Sequence, residues 1–342
     1  MNLVFMVYTT RIYSMVMFLL AMICTANAQI EPPKNLYQAV KENNHFIKID
    51  FNKYLLQAKG TDNRSPLFFD LPLQNVSYQM KAVPNYITDA EFRRLYPDIY
   101  TYDFTCENDQ NINGTITISS TGVYFTIRQS GKLITIYPSK NPTDKDLHYV
   151  DYGKTQNNPL TPYCGSNHID HNTKKPFFKS TGGLRSDISI GERKYNYRMA
   201  VVATGEFYLN NGNNDTEVMT AVVNSVNSLN AIFNNELSFK FTLGNRIHLF
   251  KDPAADPFLP DMAGGVDRTQ QAGIEIPKVI DINSFDIGHV FHTHKQGDNW
   301  TTGGLANFNS VCSSTKIENQ FVKASGWSGS FNNKDVYWIN LL

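Results

Sequence analysis

The sequence lacks an excess of charge of either sign, because its 342 residues carry 31 basic and 31 acidic side chains. A neutral chain without basic clusters offers no electrostatic surface for nucleic acid. The sequence also lacks the low hydrophobicity of a disordered chain, since 41% of its residues are hydrophobic and 13% are aromatic. We therefore expect no nucleic-acid partner, and we expect a folded chain long enough for two domains.

Long apolar runs are confined to the N-terminus. Arg11 precedes a nine-residue apolar run, residues 15–23, and the small-residue sequence Ala26-Asn27-Ala28 follows. This order is typical of a secretory signal peptide over residues 1–28. The alternative is an uncleaved anchor that also uses the apolar residues from Leu3 onward, but Arg11 interrupts that span. No later stretch approaches the ~20 apolar residues of a membrane helix, so we expect a secreted chain without membrane contact after cleavage.

Cysteine is scarce, and its number in the mature chain is odd. The chain has four cysteines, and Cys24 leaves with the signal peptide. Cys106, Cys164 and Cys312 remain in what would be an oxidising compartment. An odd cysteine there requires either a missing partner or a free thiol.

Residues 29–165 are predicted to form one α+β domain rich in antiparallel strands. Its apolar segments are rich in β-branched and aromatic residues, with Gly and Ser between them, as in a strand meander. A short helix is predicted from Thr88, because Thr88 and Glu91 are spaced as in a capping box, and it would end before Pro97. The apolar strand segments are residues 46–56, 66–73, 115–118, 123–127 and 133–137.

Residues 166–192 are polar and contain glycine, which predicts an exposed linker and a domain boundary. From residue 193 onward, strand patterns alternate with helix patterns, which favours an α/β domain with a mixed sheet. Asn214, with Glu217 three residues on, predicts the start of a helix. Strands are predicted at 197–204, 237–250 and 285–292, and a further helix at 270–282, where Pro277 could introduce a kink.

One segment of this second part has a familiar sequence. Residues 197–206, YRMAVVATGE, resemble the first strand of the bacterial reprolysin-like zinc metallopeptidases, a metzincin family. Further segments resemble later elements of that family, in the same order and spacing: residues 255–258, 285–291, 303–306, 311–312 and 323–326. The upstream part is similar to the propeptides of these enzymes at residues 71–73 and 96–102. The resemblance implies a propeptide-like domain at 29–165, a linker at 166–192 and the N-terminal part of a metzincin-like catalytic domain at 193–342.

In that family the next element is a helix carrying HExxHxxGxxH, whose three histidines bind zinc and whose glutamate is the general base. In this chain no His is followed by Glu, and no two His are four residues apart. Residues 335–342 resemble the first two turns of that helix, and the sequence ends there. Zinc is therefore implied for full-length relatives, whereas we expect this chain to be a truncated fragment with no catalytic residue, no catalytic zinc and no peptidase activity. We also expect the apolar face around Trp338 to be left uncovered.

The resemblance assigns Gly303, Gly304, Leu305 and Ala306 to the family's edge strand. Such a strand pairs with an extended peptide by strand addition, and glycines allow the two backbones to approach closely. The residues alone, without the resemblance, favour an ordinary Gly-rich turn. The implied partner is a peptide or protein substrate, and we expect the soluble chain to be a monomer. A second hypothesis is a complete, secreted, non-catalytic binding module that kept the peptide groove.

Two interpretations apply to Cys164, which would lie at the end of the propeptide. A thiolate there could bind zinc and keep a zymogen latent, because soft sulfur suits zinc. The alternative is a disulfide with Cys106, which an oxidising compartment favours and which would leave Cys312 without a partner.

Three histidines cluster in the sequence, His289, His292 and His294. Three imidazoles could bind a metal ion. We favour a different interpretation, in which His289 packs within a strand while His292 and His294 lie in the solvated turn after it.

Overall fold

The first sheet consists of eight antiparallel strands arranged largely as a meander. The computed structural model describes residues 46–60, 66–73, 76–139, 144–153, 163–164, 193–258, 265–294, 302–307, 309–330 and 338–339. The strands are β1 (Phe46–Lys48), β2 (Leu67–Leu73), β3 (Val76–Pro84), β4 (Tyr100–Cys106), β5 (Ile112–Ser119), β6 (Gly122–Gln129), β7 (Lys132–Pro138) and β8 (Leu147–Asp151). From β2 to β8 each strand pairs with the next in sequence, and β1 pairs with β8. The predicted antiparallel meander is confirmed.

The turn between β6 and β7 contains only two residues. Ser130 and Gly131 connect β6 to β7 with φ values of +50° and +78°. Two consecutive positive φ values are typical of the type I′ turn, whose twist matches that of the flanking strands. The strands β3 and β4 were not among the predicted segments.

The prediction of a strand over residues 46–56 is wrong in its second half. After β1 the chain forms helix α1 (Phe51–Gly60), whose first turn is capped by Asp50: its Oδ1 accepts from the N–H of Lys53 at 2.9 Å. The buried residues Phe51, Tyr54 and Ala58 recur at helical spacing and pack into the core of the first sheet. In a short apolar run this spacing is hard to distinguish from strand alternation.

The predicted short helix is confirmed, with its cap one residue later than expected. Helix α2 (Ala90–Leu95) begins at Asp89, whose Oδ1 accepts from the N–H of Phe92 at 2.8 Å. A carboxylate at the N-cap satisfies one of the unpaired N–H groups of the first turn.

The second sheet is mixed, as the α/β interpretation predicted, and it contains seven strands. They are β9 (Tyr163–Cys164), β10 (Tyr195–Ala203), β11 (Phe239–Thr242), β12 (Ile247–Leu249), β13 (Ile287–His292), β14 (Thr302–Ala306) and, after the separate hairpin of β15 (Lys316–Ile317) and β16 (Gln320–Phe321), β17 (Gly326–Ser330). The order across the sheet is β11-β10-β13-β17-β14-β9, with β12 also paired to β10. The pairs among β10 to β13 and β17 are parallel, whereas β14 is antiparallel to β17.

Three helices accompany this sheet: α3 (Gly205–Asn210), α4 (Asp215–Glu236) and α5 (Gly265–Val279). The predicted cap of α4 is confirmed, because Asn214 Oδ1 accepts from the N–H of Glu217 at 3.0 Å. Pro277 lies in the last turn of α5 and does not end the helix before Val279. The strand predicted over 237–250 is divided into β11 and β12 by a turn at Gly244, where φ is +55°.

The expectation of an uncovered C-terminal stub is wrong for Trp338 and Ile339. Trp338 is fully buried, and its Nε1–H donates to Ser225 Oγ at 2.8 Å. Its ring packs against Phe291 on β13, at a centroid distance of 5.3 Å, and against Phe207 on α3, at 6.2 Å. The rest of residues 335–342 lies outside the described part of the chain.

The described residues belong to one compact unit that contains both sheets. The predicted signal peptide and the predicted linker at 166–192 lie outside the described residues, so the domain boundary stays a prediction. Among the helices that the structure describes, none is both long and apolar enough to cross a membrane.

Candidate functional site

The strand β14 contains the four residues that the resemblance assigned to an edge strand. Opposite Gly303 and Gly304, on β17, lie the small residues Gly329 and Ser328, and opposite Leu305 lies Trp327. Gly303 is buried, the next two residues are half-buried and Ala306 is exposed. The turn interpretation of these residues is therefore wrong, whereas their role in substrate binding stays a prediction.

The side of β14 that faces away from β17 is also paired. The two-residue strand β9 runs parallel to β14, with Tyr163 opposite Gly303 and Cys164 opposite Gly304. Strand β14 would otherwise be the edge of the sheet, so a short segment from upstream in the same chain occupies the position that an added strand would take.

Glycines in β17 make room for two of the three clustered histidines. A Cβ atom at Gly329 would collide with the imidazole of His294, and one at Gly326 would lie 2.8 Å from His289 Nδ1. Side chains at these positions would push the histidines away from the sheet, so the glycines of β17 help to fix the packing beside β14.

His289 packs within the sheet, as predicted. It is 8% exposed, and its Nε2 lies 2.9 Å from Ser328 Oγ. Burial lowers the pKa of His289 to about 4, because the protonated ring would lose its hydration. The imidazole is therefore neutral at physiological pH and serves as a hydrogen-bonding residue of the core.

The placement of His292 and His294 in a solvated turn is wrong, because both are buried. His292 Nδ1 lies 2.9 Å from Thr204 Oγ1 and 3.6 Å from Glu206 Oε2, at the start of α3. His294 lies edge-on to Trp327, with ring centroids 5.9 Å apart. The carboxyl end of β13 is covered by α3 and by the ring of Trp327 on β17. The sequence pattern of β13 alone does not indicate this burial.

Each of the three imidazoles contacts another side chain. In the part of the chain that the structure describes, no three His, Cys, Asp or Glu side chains are grouped so that they could hold a metal ion. His289 and His292 are hydrogen-bonded to hydroxyl groups, and the guanidinium of Arg268 lies 4.7 Å from the centroid of the Trp327 ring that His294 contacts. The expectation that this chain holds no catalytic zinc stays a prediction.

The cysteines differ in their environments. Cys106 carries a free thiol buried at the end of β4, where burial and then the charge of Asp109 raise its pKa to about 11. Among the described residues Cys106 has no disulfide partner, and its predicted disulfide with Cys164 stays a prediction. The Cys164 thiol lies outside the described part, so its role in latency stays a prediction. Cys312 is free and exposed.

Two polar contacts that fix the sheet were not found from the sequence. Arg198 on β10 donates from Nη2 and Nε to the two carboxylate oxygens of Asp286, at 2.7 and 3.2 Å. Hydrogen bonding to Arg198 lowers the pKa of Asp286, so the pair stays ionised. Lys323 is buried and donates from Nζ to the carbonyl of Phe285 at 3.0 Å. The only signal in the sequence was that Lys323 lies in residues 323–326, one of the segments of the family resemblance.

Comparison with known proteins finds a family that the second part of the chain resembles. Residues 194–341 match the family model described as Metallo-peptidase family M12B Reprolysin-like. Among solved structures, the chain is similar to metalloproteinase-II from Bacteroides fragilis, with 10% sequence identity, a TM-score of 0.41, and coverage of 82% of this chain and 80% of that chain. A likeness this distant carries no argument about function. No curated protein sequence matches the chain significantly.

Proposed function

Because residues 194–341 match the family model of the M12B reprolysin-like metallopeptidases, we propose that they are the peptide-binding part of such a peptidase domain and hold an extended peptide along β14. One observation carries this proposal: β9, a segment of the same chain, already pairs with β14 through main-chain groups. Main-chain pairing gives affinity without a particular side chain, so a peptide or protein substrate can use the same position.

The upstream domain fits the role of a propeptide in this proposal. Strand β9 belongs to the end of residues 29–165, and it occupies the strand position at which a substrate would bind. The chain would then be a secreted zymogen-like protein, with residues 1–28 as its signal peptide. Secretion is tested by the N-terminus of the exported protein, which should be Gln29.

Peptide hydrolysis is not part of the proposed activity of these 342 residues. The family is zinc-dependent, but neither the sequence nor the described residues supply a fitting set of ligands. The second candidate function is a secreted, non-catalytic binding module, and the same absence of a fitting ligand set favours it. Both candidates, the peptidase part and the non-catalytic module, bind an extended peptide at β14. They differ in whether a longer form of the protein cleaves the bound peptide.

The test is a binding and cleavage assay on residues 29–342. The variant Tyr163→Pro/Cys164→Pro removes two main-chain N–H groups from β9 and should free β14, because proline cannot donate to a sheet. The matched control, Tyr163→Ala/Cys164→Ala, keeps both N–H groups. We expect a library of fluorescent extended peptides to bind the proline variant at least ~tenfold more tightly than the control, and no peptide to be cleaved with added zinc. Equal binding by both variants would contradict the binding proposal, and zinc-dependent cleavage would contradict the proposed lack of activity.

A further inference from the structure

The segment that connects β3 to β4 is packed into the core of the second sheet. Ile87, Phe92 and Ile99 are buried there, in the same cluster as residues of β10 and α4. This segment, residues 85–99, contains α2 and belongs to the propeptide-like domain, yet its apolar side chains help to build the core of the reprolysin-like part. We call it the anchor segment.

Main-chain hydrogen bonds fix the anchor segment to the turn between β11 and β12. The carbonyl oxygen of Ile87 accepts from the N–H groups of Leu243, at 2.7 Å, and Gly244, at 3.1 Å. Lys240 on β11 donates from Nζ to the carbonyl of Asn85 at 3.3 Å. If the anchor segment detached, these hydrogen bonds would break and its buried apolar side chains would be exposed to water.

Helix α4 provides a second contact surface of a different kind. Fourteen consecutive residues, 218–231, are buried, and the helix contacts β4, β5 and β6 of the first sheet as well as β11 of the second. A helix buried on all sides has to be covered by two layers, and here each sheet supplies one.

Several contacts from α4 to the first part of the chain are buried hydrogen bonds between polar side chains. Asn227 donates from Nδ2 to the carbonyl of Ile116, at 3.0 Å, and to Thr117 Oγ1, at 3.1 Å, and accepts from Asn85 Nδ2 at 2.7 Å. Ser228 Oγ accepts from Thr126 Oγ1 at 2.6 Å. Such buried amide and hydroxyl pairs fix the register of the two parts, because a shifted arrangement would leave them unpaired.

We propose that the anchor segment and the polar face of α4 hold the propeptide-like domain on the reprolysin-like part even without a covalent connection between the two. A single cut within the predicted linker, residues 166–192, then yields a complex of two fragments instead of a released domain. The cut lies after Cys164, so β9 remains joined to the docked first sheet by the short stretch 154–162. A short tether keeps the effective concentration of β9 at β14 high, so one cut leaves the strand position occupied. This last consequence rests on the proposed function of β14, whereas the docking itself does not.

The test uses the chain 29–342 with a site-specific protease site inserted between residues 170 and 185. After complete cleavage we expect the two fragments to co-elute in size-exclusion chromatography at the volume of the uncut chain, without denaturant. Separate elution of two folded fragments would overturn the proposal. Hydrogen exchange over residues 302–307 should be unchanged by the cut, and a rise in exchange with co-eluting fragments would overturn only the consequence for β9.

A matched pair of variants tests the anchor segment itself. Phe92 is fully buried in the shared core, whereas Phe68 on β2 is 56% exposed. In the cut protein, Phe92→Ala should raise the dissociation constant of the two fragments at least ~tenfold, and Phe68→Ala should change it less than ~twofold. Circular dichroism and thermal melting of the uncut variants check that each has folded, and Ile99→Ala replaces Phe92→Ala if the latter does not fold. Equal effects of the buried and exposed substitutions would overturn the assignment of the anchor.

Discussion

The stability of the second sheet should depend on pH through His289. The buried ring has a pKa of about 4, and the ordinary value is 6.5. Below pH 6.5 the unfolded chain therefore takes up a proton that the folded ring does not, and stability falls as the pH drops from 6.5 towards 4. With these two pKa values, lowering the pH from 7 to 5 costs about 2 kcal/mol of unfolding free energy from this residue alone.

The assay is urea unfolding followed by tryptophan fluorescence at both pH values. His148 and His248 also have lowered pKa values because they are buried, so they contribute a loss in the same direction. The comparison with His289→Gln isolates one residue, since the amide can still hydrogen-bond to Ser328. The variant should lose about 2 kcal/mol less than the parent between pH 7 and pH 5. Equal losses in the two proteins would refute the assignment of a buried, neutral His289.

Three further predictions concern core packing, backbone space and metal content. Trp338→Ala should cost about 3–5 kcal/mol because it leaves a cavity beside Phe207 and Phe291, and a loss below about 1 kcal/mol in chemical denaturation would contradict the docking of this residue. Gly114→Ala should lower the free energy of unfolding by about 1–3 kcal/mol, because its Cβ would collide with the carbonyl of Thr126. The control Gly60→Ala meets no neighbouring atom and should leave stability close to unchanged. Similar melting temperatures of the two variants would count against the β5–β6 register. Residues 29–342, dialysed and analysed by inductively coupled plasma mass spectrometry, should hold well under one equivalent of zinc, and a retained equivalent would contradict the prediction that this chain holds no catalytic zinc.

The parts of the fold that the sequence predicted best are those with long, regular patterns. The cap of α4 at Asn214, the buried strand β10 and the meander β5 to β7 were all found. In each case a local signal, such as a side-chain cap or a run of β-branched residues, agrees with the tertiary structure.

The misplaced elements are those decided by contacts between distant residues. The run at 46–56 contains a helix because Phe51 and Tyr54 pack inside the first sheet, and no local pattern distinguishes that from strand alternation. His292 and His294 were placed in solvent because the α3 helix and Trp327 that cover them are remote in sequence. Trp338 is buried for the same reason, since its partners lie on α3, α4 and β13.

The candidate site was predicted only in part. The resemblance gave the position of β14, but nothing in the sequence indicated that Tyr163 and Cys164 would pair with it. A two-residue strand has too few residues for a periodic signal. Its pairing depends on the path of the flanking residues through the fold, which no local pattern indicates. The anchor segment also escaped prediction, because its burial depends on a core built mainly by residues more than a hundred positions later.

The most direct test of the central claim is hydrogen exchange of β14, residues 302–307, measured by mass spectrometry. Strand β9 should protect these amides in the unsubstituted chain, and Tyr163→Pro/Cys164→Pro should speed their exchange at least ~tenfold, while the alanine pair leaves it unchanged. Adding a peptide that binds the proline variant should restore the protection. Identical exchange in all three proteins, with no change on adding peptide, would contradict the claim that β14 is the strand on which this chain holds an extended peptide.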